Sequence, residues 1–150
     1  MKKIIGIVCL VFIGLQFIPR PQKNISAVSS ISPVFQSNPA VLAILEKSCL
    51  DCHSNTTKYP WYTSIQPLSM WINHHIKEGK EEINFSEFET YSIKKQQHKL
   101  KELVEQVEEG EMPMNSYTLI HRTARLTSEE KKTLIEWINS QISSNKIEGE

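Results

Sequence analysis

The chain carries no net charge: 17 Lys and Arg residues balance 17 Asp and Glu, and the pI lies near 7. This excludes the strongly basic balance with which a protein binds nucleic acid through overall charge, so any partner surface must be local. Cysteine is scarce, with three residues in 150, and Cys9 lies in an apolar run. Cys49 and Cys52 are then the only pair, too few for a zinc site that needs four ligands. A disulfide across two intervening residues would be strained, and a dithiol redox site belongs in a βαβ pattern that is absent here. No convincing strand and no internal repeat is present. No apolar run reaches the ~20 residues that a bilayer-crossing helix needs.

What is there is Cys49-Leu50-Asp51-Cys52-His53. Two cysteines about one helical turn apart, followed at once by a histidine, form the attachment signature of c-type haem. Each sulfur can form a thioether with one porphyrin vinyl group, and the adjacent imidazole can bind the iron axially. Cys49 and Cys52 are therefore expected as covalent attachment points for one haem c, with His53 as proximal ligand. An exported domain would otherwise oxidise the two thiols, and haem attachment consumes them.

Met1-Lys2-Lys3 followed by Ile4 to Ile18 reads as a positive n-region and an apolar stretch, either a signal peptide or an uncleaved anchor. Pro19-Arg20-Pro21 is a poor cleavage site, and Lys2, Lys3 and Arg20 can snorkel, which favours the anchor. Either reading exports the folded part, which is then expected on the periplasmic side of a bacterial inner membrane, anchored or secreted. Residues 1–21 form this segment, 22–37 a Ser-, Asn- and Pro-rich linker, 38–142 the domain and 143–150 a polar tail.

The domain is expected to be all-α. Asn38 and Pro39 are an N-cap and first-turn proline, and Val41, Leu42, Ile44 and Leu45 give the apolar stripe of a helix running into Cys49. Tyr59-Pro60-Trp61-Tyr62 is too aromatic for a solvated loop and is expected to pack the haem pocket. Pro67 to Glu78 reads as a second helix stopped by Gly79, with Met70, Trp71, His74 and His75 on it. Ser86 could cap a third stretch through Phe88 and Tyr91. Ile93 to Glu109 is a charged helix with Leu100, Leu103, Val104 and Val107 buried, ended by Gly110. Thr127 to Glu130 is a capping box opening a last helix that buries Leu134, Ile135, Trp137, Ile138 and Ile142.

In this order the chain resembles the cytochrome c fold, and more narrowly the small bacterial haem-binding domain proteins of the cytochrome c-like group. The matching residues are Cys49, Cys52, His53 and Ser54; Tyr59-Pro60-Trp61-Tyr62; Pro67 with Trp71 and His75; Asn84-Phe85-Ser86; and Met112-Pro113 with Tyr117 and His121. The resemblance implies a small helical domain around one covalent haem, with Tyr59, Trp61 and Trp71 packing the cofactor. It also implies a distal methionine some tens of residues after the histidine. Met112 lies in a loop after Gly110 and is the expected sixth ligand, with His75, His74 and Met114 as alternatives and His121 a remoter one.

A tethered single-haem domain without an acid/base constellation is expected to carry electrons between membrane partners rather than act as an enzyme. A labile sixth position would instead suit a haem peroxidase or a gas or redox sensor, with His74 or His75 as a distal group. A haem-storage or assembly module is the third reading. Redox proteins at the membrane are the expected partners, and nucleic acid is not.

Overall fold

The computed structural model describes residues 1–20 and 30–147, with side chains up to residue 144. Eight α-helices occur among the described residues: α1 (Lys2–Leu15), α2 (Pro33–Gln36), α3 (Pro39–Ser48), α4 (Leu50–His53), α5 (Leu68–Glu82), α6 (Ile93–Glu109), α7 (Asn115–Ile120) and α8 (Ser128–Ile147). Three short 3-10 turns lie at Trp61–Ser64, Phe88–Thr90 and Arg122–Ala124. The expected all-α class holds.

Local chemistry explains several of the boundaries. The Asn38 carboxamide oxygen accepts from the Ala40 and Val41 amides at 3.1 and 3.3 Å, satisfying two donors that the first turn of α3 leaves free. Ser92 caps α6 through the Lys95 amide. Gly110 ends α6 with φ +79°, a left-handed conformation that costs a glycine nothing. Thr127 and Glu130 form the reciprocal capping box of α8: the Thr127 amide donates to Glu130 Oε2 at 2.8 Å, and the Glu130 amide donates to Thr127 Oγ1 at 3.2 Å.

α3 and α8 pack on each other, and α6 packs on α8. Val41, Leu45, Leu134 and Ile138 are buried between them. A second part of the core is aromatic. Phe35 is edge-on to Phe85 and Phe88, with ring centroids 5.0 and 4.9 Å apart, and touches Trp137. α4 packs on α5, which places the Cys-x-x-Cys-His turn against the long second helix of the domain.

Four expectations change. Residues 22–29 of the expected linker lie outside the described residues, but Ser30 to Gln36 are folded. Phe35 is 1% exposed, and the Ser32 amide donates to the Phe85 carbonyl at 2.9 Å. The domain thus begins before residue 38, because one aromatic in a polar stretch is enough to draw it into the core. Gly79 does not stop the second helix, which continues to Glu82 with Gly79 inside it. Ser86 does not cap a third helix: its hydroxyl accepts from the Asn55 amide, and only one 3-10 turn follows at Phe88–Thr90. The last helix runs on through Ile147, so the first five residues of the expected polar tail, 143–147, are helical.

The N-terminal segment forms α1, 14 residues long, with no buried residue. No helix among the described residues is long and apolar enough to cross a membrane. At 1.5 Å per residue α1 reaches about 21 Å, short of the roughly 30 Å hydrocarbon layer. Its end is held to the domain by Gln16. The Gln16 Nε2 donates to the Gln66 carbonyl at 2.9 Å, and the Gln66 amide donates to Gln16 Oε1 at 3.1 Å.

Candidate haem site

The site begins where α3 stops. The Cys49 amide still donates to the Leu45 carbonyl at 2.8 Å, but its backbone departs from the helix, and its carbonyl accepts from the Cys52 and His53 amides at 3.2 and 3.0 Å. One residue therefore ends α3 and starts α4, which sets both cysteines and His53 on a single tight turn. Ser54 closes that turn: its fully buried hydroxyl donates to the Leu50 carbonyl at 2.6 Å.

The segment after α5 holds His53 at two points. The Phe85 amide donates to the His53 carbonyl at 2.8 Å, and His53 Nδ1 lies 3.1 Å from the Ile83 carbonyl. A carbonyl only accepts, so Nδ1 carries the proton and Nε2 keeps its lone pair, the state that a metal-binding histidine needs. Burial lowers the His53 pKa, which keeps the ring neutral despite the opposing effect of the carbonyls of Ile83 and Gly79. The ring lies against Gly79, where a Cβ would stand 3.2 Å from His53 Cε1 and 3.4 Å from the Cys52 carbonyl oxygen. Gly79 serves close approach here rather than helix termination.

Cys49, Cys52 and His53 face a cavity of about 440 Å³. The same cavity is lined by Leu103 and Val107 of α6, by Met112, Pro113 and Met114 of the following loop, and by Tyr117 of α7. The Met112 amide donates to the Gln106 carbonyl at 3.0 Å, which folds this loop back on α6. Both cysteines are unpaired thiols. Burial, then the neighbouring Cys52, pushes Cys49 up to about 12; burial, then Asp51, pushes Cys52 up to about 11.

One rim of the cavity is acidic. Glu78 and Glu82 of α5 and Glu102 and Glu105 of α6 line it, and Lys99 bridges the two helices with 2.8 Å contacts to Glu82 and to Glu102. These hydrogen bonds hold the Lys99 ammonium above its usual range and the Glu82 carboxyl below its own.

The remaining candidates divide. His75 is half-buried and lines the cavity, with Nδ1 3.2 Å from Glu78 Oε2 and the Trp71 ring edge-on at 4.4 Å. His74 is exposed, contacts the other Glu78 oxygen at 3.1 Å and does not line the cavity. Tyr59, Trp61 and Trp71 do not line it either. Trp61 is 78% exposed and Trp71 46%, so the expectation that these aromatics pack the pocket meets a different placement. The Tyr-Pro-Trp-Tyr element reaches the site indirectly. The Tyr62 hydroxyl bonds His121 Nε2, His121 stacks on Tyr117 at 4.5 Å, and the Tyr117 hydroxyl donates to Asp51 Oδ2 at 2.7 Å. Burial and this bond to Asp51 raise the Tyr117 pKa, so it stays a donor.

Three contributors are invisible to motif reading: the Ile83 carbonyl, Gly79 and the Tyr117–Asp51 bond.

The residues present suit a haem. The cavity is large enough for a sizeable ligand and mostly apolar, as ligand sites are. Its lining includes a neutral imidazole and two thioether sulfurs. Ser48 also lines it, with a buried hydroxyl that has no hydrogen-bond partner among the described residues. No group of three or more His, Cys, Asp or Glu among those residues could hold a bare metal ion. Compared with known proteins, the chain matches no curated protein and no solved structure. The model of the haem-binding domain family does match it, over residues 10–140. The chain belongs to the haem-binding domain family.

Proposed function

We propose that this protein is a c-type cytochrome held at the periplasmic face of a bacterial inner membrane, carrying electrons on one haem attached through Cys49 and Cys52. Haem supplies one-electron redox chemistry when bound. The observation that carries the reading is the shared cavity: Cys49, Cys52 and a His53 ring with Nε2 free line it together with Met112 and Met114. In this reading the two thiols form the thioether links, His53 is the proximal ligand and Met112 the distal one, with Met114 next to it. A thioether is a soft ligand that favours the reduced iron and raises the potential. The Ile83 carbonyl fixes the His53 ring, and the apolar wall of Leu103 and Val107 limits water.

One observation favours a second reading. His75 lines the same cavity and is backed by Glu78, so a labile Met112 would leave an imidazole beside an open coordination position. That arrangement suits peroxide chemistry or gas sensing.

The test is the absorption spectrum of the full chain made in cells that attach c-type haem, oxidised and reduced, then after denaturation. Haem that survives denaturation and is low-spin in both states supports the carrier. Met112→Ala should then open the sixth position and lower the potential, while His75→Ala leaves both unchanged. A spectrum indifferent to Met112→Ala but altered by His75→Ala transfers the ligand role to His75. A high-spin ferric spectrum in the unaltered protein favours the sensor or peroxidase.

A further inference from the structure

We propose that the apolar end of the domain, where α1 leaves it and α5 begins, rests on a phospholipid surface, with Trp61 and Trp71 at the lipid–water boundary. The proposal deepens the tethered reading above and rests on it.

The Gln16–Gln66 clamp fixes the end of α1 two residues before Leu68, the first residue of α5. Around this junction large apolar side chains from three parts of the chain are uncovered. They are Phe17 (84% exposed) after α1, Trp61 on the 3-10 turn packed against α5, and Leu68, Met70 and Trp71 at the start of α5. Isolated exposed apolar residues are ordinary, but a cluster of this size marks a surface that something else covers.

The character of α1 identifies the cover. No charged residue lies between Lys3 and Arg20, and the helix buries nothing. A protein partner, or a second copy of this chain, would cover one stripe of a helix and leave a polar face to water. A helix apolar all round is matched by lipid on every side. With about 21 Å of length it enters the hydrocarbon without crossing it. Charge agrees: before Glu78 the only acidic residues are Glu46 and Asp51, while Arg20 follows the clamped end of α1 and Lys58 precedes the Trp61 turn. Cationic side chains suit anionic headgroups, and tryptophan prefers the interface, where its ring is buried and its N–H stays wet.

Orientation follows. Along α5 the collar spans Leu68 to Trp71 and the acidic rim Glu78 to Glu82, so about 10 Å of helix separates their nearest members. The collar faces lipid and the rim is left to water-soluble partners.

The experiment uses the full haem-loaded chain in vesicles of mixed zwitterionic and anionic phospholipid, with or without bromine in the acyl chains. Bromine quenches tryptophans that reach it, and the brominated-to-plain ratio cancels quenching from other sources. The ratio should fall about twofold in the unaltered protein, stay low in Trp137→Phe, and return to one in Trp61→Phe/Trp71→Phe. The double variant alters surface residues outside the cavity, so it remains informative even where Trp137→Phe fails to fold. A bromine-dependent loss that persists in the double variant overturns the proposal. Protein that floats with the vesicles but shows no bromine effect overturns the docking face and leaves the tether standing. Protein that does not float at all overturns the tether as well. Shielding of Trp61 and Trp71 that grows with protein concentration and needs no lipid assigns the face to a second copy and also overturns the proposal.

Discussion

Gly79→Ala sets two physical effects against each other. Alanine in a helix interior is favoured over glycine by about 1 kcal/mol, which for a chain of this length would raise Tm by roughly 2–4 °C. Against it stands the added Cβ, placed 3.2 Å from His53 Cε1 and 3.5 Å from Nδ1. The imidazole has little freedom to retreat, because its Nδ1 is bound to the Ile83 carbonyl and its own carbonyl accepts from the Phe85 amide. Overpacking of this kind costs about 1–3 kcal/mol. The costs outweigh the gain by about 1 kcal/mol at mid-range, so Tm should fall by roughly 2–4 °C. The haem-loaded variant should also show an altered absorption spectrum, since the displaced atom belongs to an imidazole that lines the candidate haem cavity. Thermal unfolding followed by circular dichroism, alongside the spectrum, checks both. A Tm that rises by roughly 2–4 °C with an unchanged spectrum would refute the reasoning, by showing that the ring has room and that Gly79 is an ordinary helix residue.

Three further outcomes are expected. Phe35→Ala removes the ring at the centre of the aromatic core and should cost about 3–5 kcal/mol in denaturant unfolding; a loss below 1 kcal/mol would return Ser30 to Gln36 to the role of linker. Tyr117→Phe deletes the donor to Asp51 and should lower stability by about 1 kcal/mol while haem binding is retained, so unaltered unfolding would mean that the bond contributes nothing. The Glu130 carboxyl is held below its usual range, first by the Lys47 hydrogen bond and then by the Thr127 amide. A depressed folded-state value stabilises above the unfolded value, 4.5, and the benefit fades as pH falls below it. Because the pair is partly solvated, Glu130→Gln should cost only about 0.5 kcal/mol near neutral pH. That difference from the unaltered protein should vanish in acid, and a gap of constant size would assign the effect to the capping geometry alone.

Where a boundary depends on neighbours in sequence, reading and structure agree. Asn38-Pro39, Gly110 and the Thr127–Glu130 box act within three residues of themselves, so their chemistry is complete in the local sequence. Where it depends on contacts distant along the chain, the reading fails in a consistent direction. Phe35 sits in a polar stretch and looks like linker until Phe85 and Phe88 arrive to cover it. Gly79 looks like a stop signal because the usual reason for a glycine near a helix end is a left-handed cap. Its reason here is His53, 26 positions earlier, and spacing along α5 carries no mark of it.

The candidate site divides in the same way. That Cys49, Cys52 and His53 meet at one cavity is legible because the three lie within five residues, on one tight turn. Met112 is legible as a thioether in a loop, although its position on the cavity wall depends on α6 returning the loop to Gln106. The aromatics mislead, because an aromatic is equally suited to a pocket wall, a hydrogen-bonded relay or an interface. Tyr62 bonds His121, which stacks on the Tyr117 that anchors Asp51, whereas Trp61 is left outside. Neighbours in one short motif are thus divided between holding the Cys-x-x-Cys turn in place and forming the outer surface. What separates them is the direction each side chain leaves a 3-10 turn, which composition does not encode. An exposed tryptophan beside a buried-edge tyrosine is therefore informative in its own right: the tyrosine has a partner within the fold, and the tryptophan calls for one outside it.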